Sequence, residues 1–270
     1  MATIVVTGAS GSLARKLIAP MEAAGHRLIL LDRVADDPAV VAADLSIWGA
    51  WTERFADADC VIHLAGSARP DADWEEVSRL NVDLTLNVFE AAAQMGVGRV
   101  VFASSNWVLA GHRFDGVALD AQAPPAPLNP YGASKLFGER LGRFYAERRG
   151  IEAVCLRIGY SQHAAGNVPG PHMAWGRWGQ SMWLSDRDLV DGTIAAATAP
   201  LSAAFGIVNL VSDNLPSRWS MDDAKALMGF VPQDRHEVAD PPEADERERL
   251  VAAAREDIRA IDAGLMRDRW

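Results

Sequence analysis

A chain of 270 residues, 49% of them apolar, holds enough material for one large domain or a major domain with a minor one. Its formal charge of −10 sets it apart from proteins that neutralise a phosphate backbone, so no nucleic-acid partner is expected. No apolar run reaches the ~18 residues of a membrane span, and the opening "MATIVVTGAS" lacks a basic leader; no membrane partner and a cytoplasmic location are expected.

In chain order, short apolar runs alternate with helical patterns through the first 160 residues, the signature of βαβ units and a parallel sheet. The predicted strands are "TIVVTG", "RLILLD", "CVIHLAG", "RVVFASS" and "AVCLRIG". Helical spacing predicts helices over 13–24 and 77–95, and a longer one from about Tyr131 that stops at Gly150. "APPAPLNP" is a proline-punctuated loop feeding that last helix. Beyond Gly159 the chain turns glycine- and proline-rich. "SDRD" from Ser185 resembles a capping box, "FGIVNLVS" a strand and "SMDDAKALMGF" a short helix; the charged spacing from Glu243 predicts a terminal helix. The fold class expected is α/β: a Rossmann doubly wound parallel sheet over 1–160, with a small substrate-binding and C-terminal helical region over 161–270. Cys60 and Cys155 sit in strand-like runs and read as buried free thiols. The six histidines show no metal-ligand spacing, and no metal is expected.

"TGASGSLA" places Gly8, Gly11 and Ala14 directly after the first strand. Glycines there let the backbone turn tightly and approach a pyrophosphate, and the helix N-terminus formed by Ser10, Gly11, Ser12 and Leu13 faces the anion. The plain alternative is a tight βα turn, but the second strand ends in Asp32, at the right distance for a ribose diol. Asp32 repels a 2′-phosphate and favours NAD; Arg33 beside it is the contrary hint.

Tyr131 and Lys135 in "YGASK" lie one helical turn apart in a chain with three tyrosines. A free phenol titrates near pH ~10, so it needs help to act as a base at neutral pH, and an ammonium alongside supplies it. Ser105, ending "RVVFASS", is placed to hold the reacting hydroxyl. The plain alternative is an exposed i,i+4 pair on an ordinary helix.

The order "TGASGSLA", "LLD", "ADL", "HLAG", "ASSN", "YGASK", "LRIG" resembles extended short-chain dehydrogenases/reductases of the NAD-dependent epimerase/dehydratase family, over residues 1 to about 160. "ASSNW", "LRIGY" and "SMWLSDRDLV" look most like its uronate dehydrogenases. The resemblance implies that Asp44 and Leu45 contact adenine and that Leu64, Ala65 and Gly66 line the cofactor. It also implies that Asn81 supports the site and that Ile158 lies against the nicotinamide. Two positions depart from it, both on the substrate side. Trp107 stands where those enzymes carry histidine, and Trp178 stands where they carry a carboxylate-binding arginine, with Arg177 beside it.

From Ala153 to Ser185 the chain has no aspartate or glutamate, although 36 of its residues are acidic. Arg157, His163, His172 and Arg177 fall inside that window, which suits an anionic substrate. The stretch "AWGRWGQSMW" reads as a substrate-pocket loop whose indoles face a sugar ring, against the alternative that they are core. His63 reads as a strand core residue, and Trp48 and Trp51 as helix packing.

The expected function is an NAD-dependent sugar dehydrogenase oxidising C1 of a free, anionic hexose, a uronate or a sulfo-sugar such as sulfoquinovose, to its lactone. Tyr131 is the expected base, with Lys135 and Ser105 beside it. Ser67, Ser105, Asn106, Trp107, His163, Arg177 and Trp178 are expected to hold the sugar or sugar acid. A homo-oligomer is expected. The alternatives are a nucleotide-sugar epimerase or dehydratase, for which the region after Gly159 is short, and a non-catalytic NAD(P)-sensing regulator, which has no need of the Ser–Tyr–Lys set.

Overall fold

Seven strands form one parallel sheet in the order β3-β2-β1-β4-β5-β6-β7. They are β1 (Thr3–Thr7), β2 (Arg27–Asp32), β3 (Val40–Ala42), β4 (Cys60–His63), β5 (Arg99–Ser105), β6 (Glu152–Ile158) and β7 (Phe205–Leu210). This computed structural model describes residues 1–162, 166, 169–170, 173, 176–239 and 253. The predicted terminal helix lies outside them save for Ala253, as do His163, His172 and Trp175.

Helices cover both faces, which is why the central strands read as unbroken apolar runs. On one face α1 (Ser12–Ala23) and α6 (Asp186–Thr198) bury Ala14, Leu17, Met21, Leu189 and Ala196 against β1, β4 and β6. On the other, α3 (Leu84–Gln94) and α4 (Pro130–Arg149) bury Val88, Phe89 and Tyr145 against Val61, Val100 and Phe102. Each such apolar side chain contributes roughly 1.5–3 kcal/mol by leaving water. Both cysteines are buried and free. Among the described residues no helix is long and apolar enough to cross a membrane.

The five predicted strands of the first 160 residues are all present, and Ser185 caps α6 by accepting the Asp188 N–H. Three differences have physical causes. β3 has three residues, too few to show a period. The helix predicted over 77–95 is broken into α2 (Trp74–Val77), a π-turn (Ser78–Asp83) and α3. Third, α5 (Gly176–Ser181) replaces part of the loop expected at "AWGRWGQSMW". Trp178 packs there on Trp219, with ring centroids 5.3 Å apart. Trp183 is buried and meets His236 edge-on at 6.2 Å. Trp178 and Trp219 belong to a satellite core around Leu119 and Met182. Trp51 packs on a 3-10 turn as expected, while Trp48 just before it is half exposed.

After Gly159 the chain adds α5, α6, β7 and α7 (Asp222–Met228), then a separate two-stranded ladder of β8 (Asp213–Leu215) and β9 (Arg235–Glu237). β7 pairs with β6 and so extends the main sheet from the second half of the chain. The strand order reverses between β1 and β4, and in open sheets of this kind ligands bind outside the carboxyl ends of strands at that point.

Candidate active site

Gly8 leaves β1 with φ +73°, and a Cβ there would stand 2.7 Å from the Ala65 nitrogen and 2.9 Å from the Leu64 carbonyl carbon. Only glycine lets the β1 turn and the β4 exit come this close. The Gly11 N–H donates to the Gly8 carbonyl at 3.0 Å, and Gly11 then caps α1 without a side chain. The first-turn N–H groups of Ser12 and Leu13 are left for an anion at the positive end of a 12-residue helix. Asp32 ends β2, where Oδ2 accepts the Ser10 N–H and Oδ1 the Val34 N–H, each at 3.0 Å. A carboxylate has about four acceptor directions, so two remain for a diol.

A cavity of about 160 Å³ opens here. Nine of the sequence-predicted cofactor residues line it together: Gly8, Gly11, Asp32, Arg33, Asp44, Leu45, Leu64, Ala65 and Gly66. Leu80 and Leu84, which sequence reasoning missed, close its apolar side. Their i,i+4 spacing was visible, but the intervening π-turn, which aims both at the cleft, was not. Ser46 and, farther off, Arg79 and Arg33 hold the Asp44 carboxyl below its usual range. The donor set and the shape that glycine alone permits fit a dinucleotide.

Asn81 sits buried on the π-turn. Its Oδ1 accepts the Ser67 N–H at 2.7 Å, and its Nδ2 donates to the Ser67 carbonyl at 3.1 Å and to Ser134 Oγ at 3.0 Å. Ser134 in turn donates to the Tyr131 carbonyl at 2.7 Å. Asn81 therefore ties the bend after β4 to the first turn of α4.

α4 starts sharply because Asn129 Oδ1 accepts the Gly132 N–H at 2.7 Å and Pro130 follows at the first helical position. It ends where Gly150 adopts φ +72°. Tyr131 and Lys135 are both buried on its inner face. Lys135 Nζ stands 5.7 Å from the Tyr131 ring centre and 5.2 Å from that of Phe102. Gly138 permits the approach: a Cβ there would lie 2.2 Å from the Phe102 ring. Sequence reading missed Gly138, because nothing local marks a helix glycine as a contact.

Ser105 ends β5, beside Ile158 in the register with β6. Its hydroxyl donates to Asn106 Oδ1 at 3.1 Å and accepts the Trp107 N–H at 3.2 Å, beside the Tyr131 phenol. Burial pushes the phenol above its ordinary value, and Ser105 pulls it back. Lys135 lies over the ring, and burial lowers its own pKa to about 8. His63, below the site, bonds Thr7 Oγ1 at 2.8 Å and Thr85 Oγ1 at 3.1 Å. It is a core residue, as read.

The substrate-side residues divide. Ser67 donates to Glu76 Oε1 at 2.5 Å. Asn106 donates to Met182 Sδ at 2.6 Å, and Trp107 packs against Tyr131, Ala72 and Val77. Arg177 is exposed on α5 and Trp178 is half-buried on the satellite core. His163 lies outside the described residues. Arg157 is corrected: it is 1% exposed and ion-paired with Glu139 of α4, so it adds no net positive potential to the pocket. The acid-free window takes its carboxylate from another element.

The family model for the NAD dependent epimerase/dehydratase family matches residues 4–170. The chain is 35% identical to the L-arabinose 1-dehydrogenase (NAD(P)(+)) of Haloferax volcanii, over 87% of this chain and 97% of that protein. It is 32% identical to the uronate dehydrogenase of Pseudomonas syringae pv. tomato, over 92% and 90%. Its fold matches the crystal structure of the glucuronic acid dehydrogenase from Chromohalobacter salexigens with a TM-score of 0.76 and 30% identity, over 92% of this chain and 89% of that one.

Proposed function

We propose, for a chain that belongs to the NAD-dependent epimerase/dehydratase family, the oxidation of C1 of a free sugar acid to its lactone. The observation that carries the reading is the buried Ser105–Tyr131–Lys135 set at the carboxyl end of β5, beside the dinucleotide cleft. Near full-length similarity to enzymes named for oxidising free sugars and uronates supports it over a nucleotide-sugar reaction.

NAD held along Gly8, Gly11 and Asp32 would supply the hydride acceptor for C1. Tyr131 as phenolate takes the proton of the C1 hydroxyl, which Ser105 Oγ holds in line. The hydroxyl's electrons close the C1 carbonyl of the lactone as the hydride leaves. Lys135, cationic below about pH 8, keeps the phenolate stable and reaches the nicotinamide ribose. Ser67, Asn106 and Trp107 contact the ring hydroxyls. Arg177, with His163 or His172, takes the C6 carboxylate.

The test is NADH release from free aldoses, hexuronates and sulfo-sugars. A hexuronate should be turned over best. Tyr131→Phe should lower turnover by more than about a thousandfold, the scale of general-base catalysis, with NAD affinity unchanged. A Tyr131→Phe enzyme within tenfold of wild type would remove the base assignment.

A further inference from the structure

One turn beyond Lys135, α4 carries a second buried charge. Glu139 is 1% exposed and both its oxygens are engaged. Oε1 accepts from Arg157 Nε at 2.8 Å and from Ser104 Oγ at 2.7 Å, and Oε2 accepts from Arg157 Nη2 at 3.0 Å. Arg157, equally buried, gives Nη1 to the Asp120 carbonyl at 3.2 Å. Through Glu139 the pair holds Ser104, the residue before Ser105, and Arg157 is itself the residue before Ile158, so the pair sits under the two strand ends that face the site. Desolvation offsets most of the attraction in a pair at this depth, so stability alone is a poor account of it.

Helical spacing puts Lys135 and Glu139 on one face, where an ammonium and an unengaged carboxylate pair readily. Here they do not pair. Among the described residues no carboxylate lies within ion-pair distance of Lys135 Nζ, which faces the Phe102 and Tyr131 rings. Other charged or titratable groups on elements packed against this end of α4 are engaged or turned away. Glu76 of α2 is held by Ser67 and Arg69. Arg79 and Asp83 of the π-turn are exposed. His63 of β4 is kept neutral by burial, as is the Cys155 thiol of β6. His112, on the 3-10 turn after β5, pairs with Asp115. Glu139 is the carboxylate that Lys135 would meet if Arg157 released it.

We propose, taking Tyr131 and Lys135 as the reacting pair of the function above, that Arg157 is a positioning residue. It occupies Glu139 and so keeps the Lys135 ammonium committed to the Tyr131 phenol and the nicotinamide ribose. The same pairing cancels the field of either charge at the phenol.

The experiment follows kcat/KM for a hexuronate against pH at saturating NAD, where the rising limb belongs to the Tyr131–Lys135 pair. Arg157→Met leaves the Glu139 anion one turn away and should move the limb up by about one pH unit; Glu139→Gln leaves the cation and should move it down by about as much. The double variant, neutral and similar in volume, should fold and return the limb to the wild-type position. A merely structural role predicts loss of amplitude with the limb fixed. A fixed limb, or two single variants shifting it in the same direction, overturns the proposal. If the single variants do not fold, the double variant decides, since a limb displaced by a full unit there also overturns it. An active Tyr131→Phe enzyme would sink the proposed function itself. An inert one beside an unmoved Arg157→Met limb sinks only the role of Arg157.

Discussion

At the scale of single residues, Asp32 does two jobs with four acceptor directions. Two of them fix the backbone, at Ser10 and Val34, and two are left for a ribose diol. Its negative charge also opposes a 2′-phosphate, while Arg33 on the same cleft wall attracts one. The acid should win, because it ends the strand and faces the cleft where the diol must lie. Asp32→Asn keeps one oxygen acceptor and removes the charge. It should therefore narrow the NAD over NADP ratio of kcat/KM by roughly tenfold to a hundredfold, the worth of a charge-assisted hydrogen bond. Asp32→Ala should do the same and also lower the melting temperature, since it frees the Ser10 and Val34 N–H groups. Initial rates with both cofactors check the first effect and thermal unfolding the second. An unchanged ratio would pass the discrimination to Arg33.

Elements differ in how far they could be read from residues alone. The strands, α1 and α4 were legible because their signals are local: apolar runs between turn residues, a cap at Asn129, a stop at Gly150. So was the gathering of the cofactor residues, since a βαβ order fixes which loops share an edge. Other features depend on partners distant in sequence. Nothing near Arg157 announces Glu139, and nothing in 77–95 announces the π-turn that aims Asn81. α5 is the instructive failure. Gly176 and Gly179 suggested a loop, but tertiary packing of Trp178 on Trp219 outweighs the ~1 kcal/mol cost of a helix glycine. Of its described indoles, Trp178 packs on the satellite core and Trp183 is buried, and Arg177, exposed on α5, is its candidate for the substrate anion. Arg177→Ala should raise KM for a hexuronate by roughly tenfold to a hundredfold and leave the neutral aldose nearly unaffected, as loss of one charge-assisted contact predicts. Trp178→Ala should instead lower the melting temperature. An unchanged charged-to-neutral ratio in Arg177→Ala would move the anion site to another cation.

For the whole molecule, the buried groups under the site tilt stability toward alkaline pH. Lys135 must shed water to be cationic in the fold; its pKa falls to about 8 from 10.5, so the unfolded chain binds the extra proton between those values. Its contribution therefore rises as pH climbs from about 8 toward 10.5. His63 acts in the same sense on the acid side. Burial, with Lys135 adding to it, lowers its pKa from 6.5 to about 3, so the unfolded chain is protonated first as pH falls. The stability from His63 is complete above about pH 6.5 and is lost progressively down to about pH 3. At pH 4.5 the loss is about 3 kcal/mol, a large share of the roughly 5–15 kcal/mol that holds a typical domain. The chain's charge of −10 works the other way, since acid at first relieves self-repulsion. That effect is spread over the surface and screened by salt, whereas His63 is 1% exposed between Thr7 and Thr85. A comparison of variants removes it altogether. His63→Gln keeps a donor and an acceptor but does not titrate. Urea unfolding at pH 7 and pH 4.5 should show the wild type losing about 2–3 kcal/mol more than the variant between the two. The lowered carboxylates of Asp36, Asp44, Glu90 and Asp234 weaken both proteins equally and drop out of the difference. Equal losses in the two proteins would mean that His63 accepts its proton in the folded state, with the two threonine hydroxyls turned to receive both N–H groups.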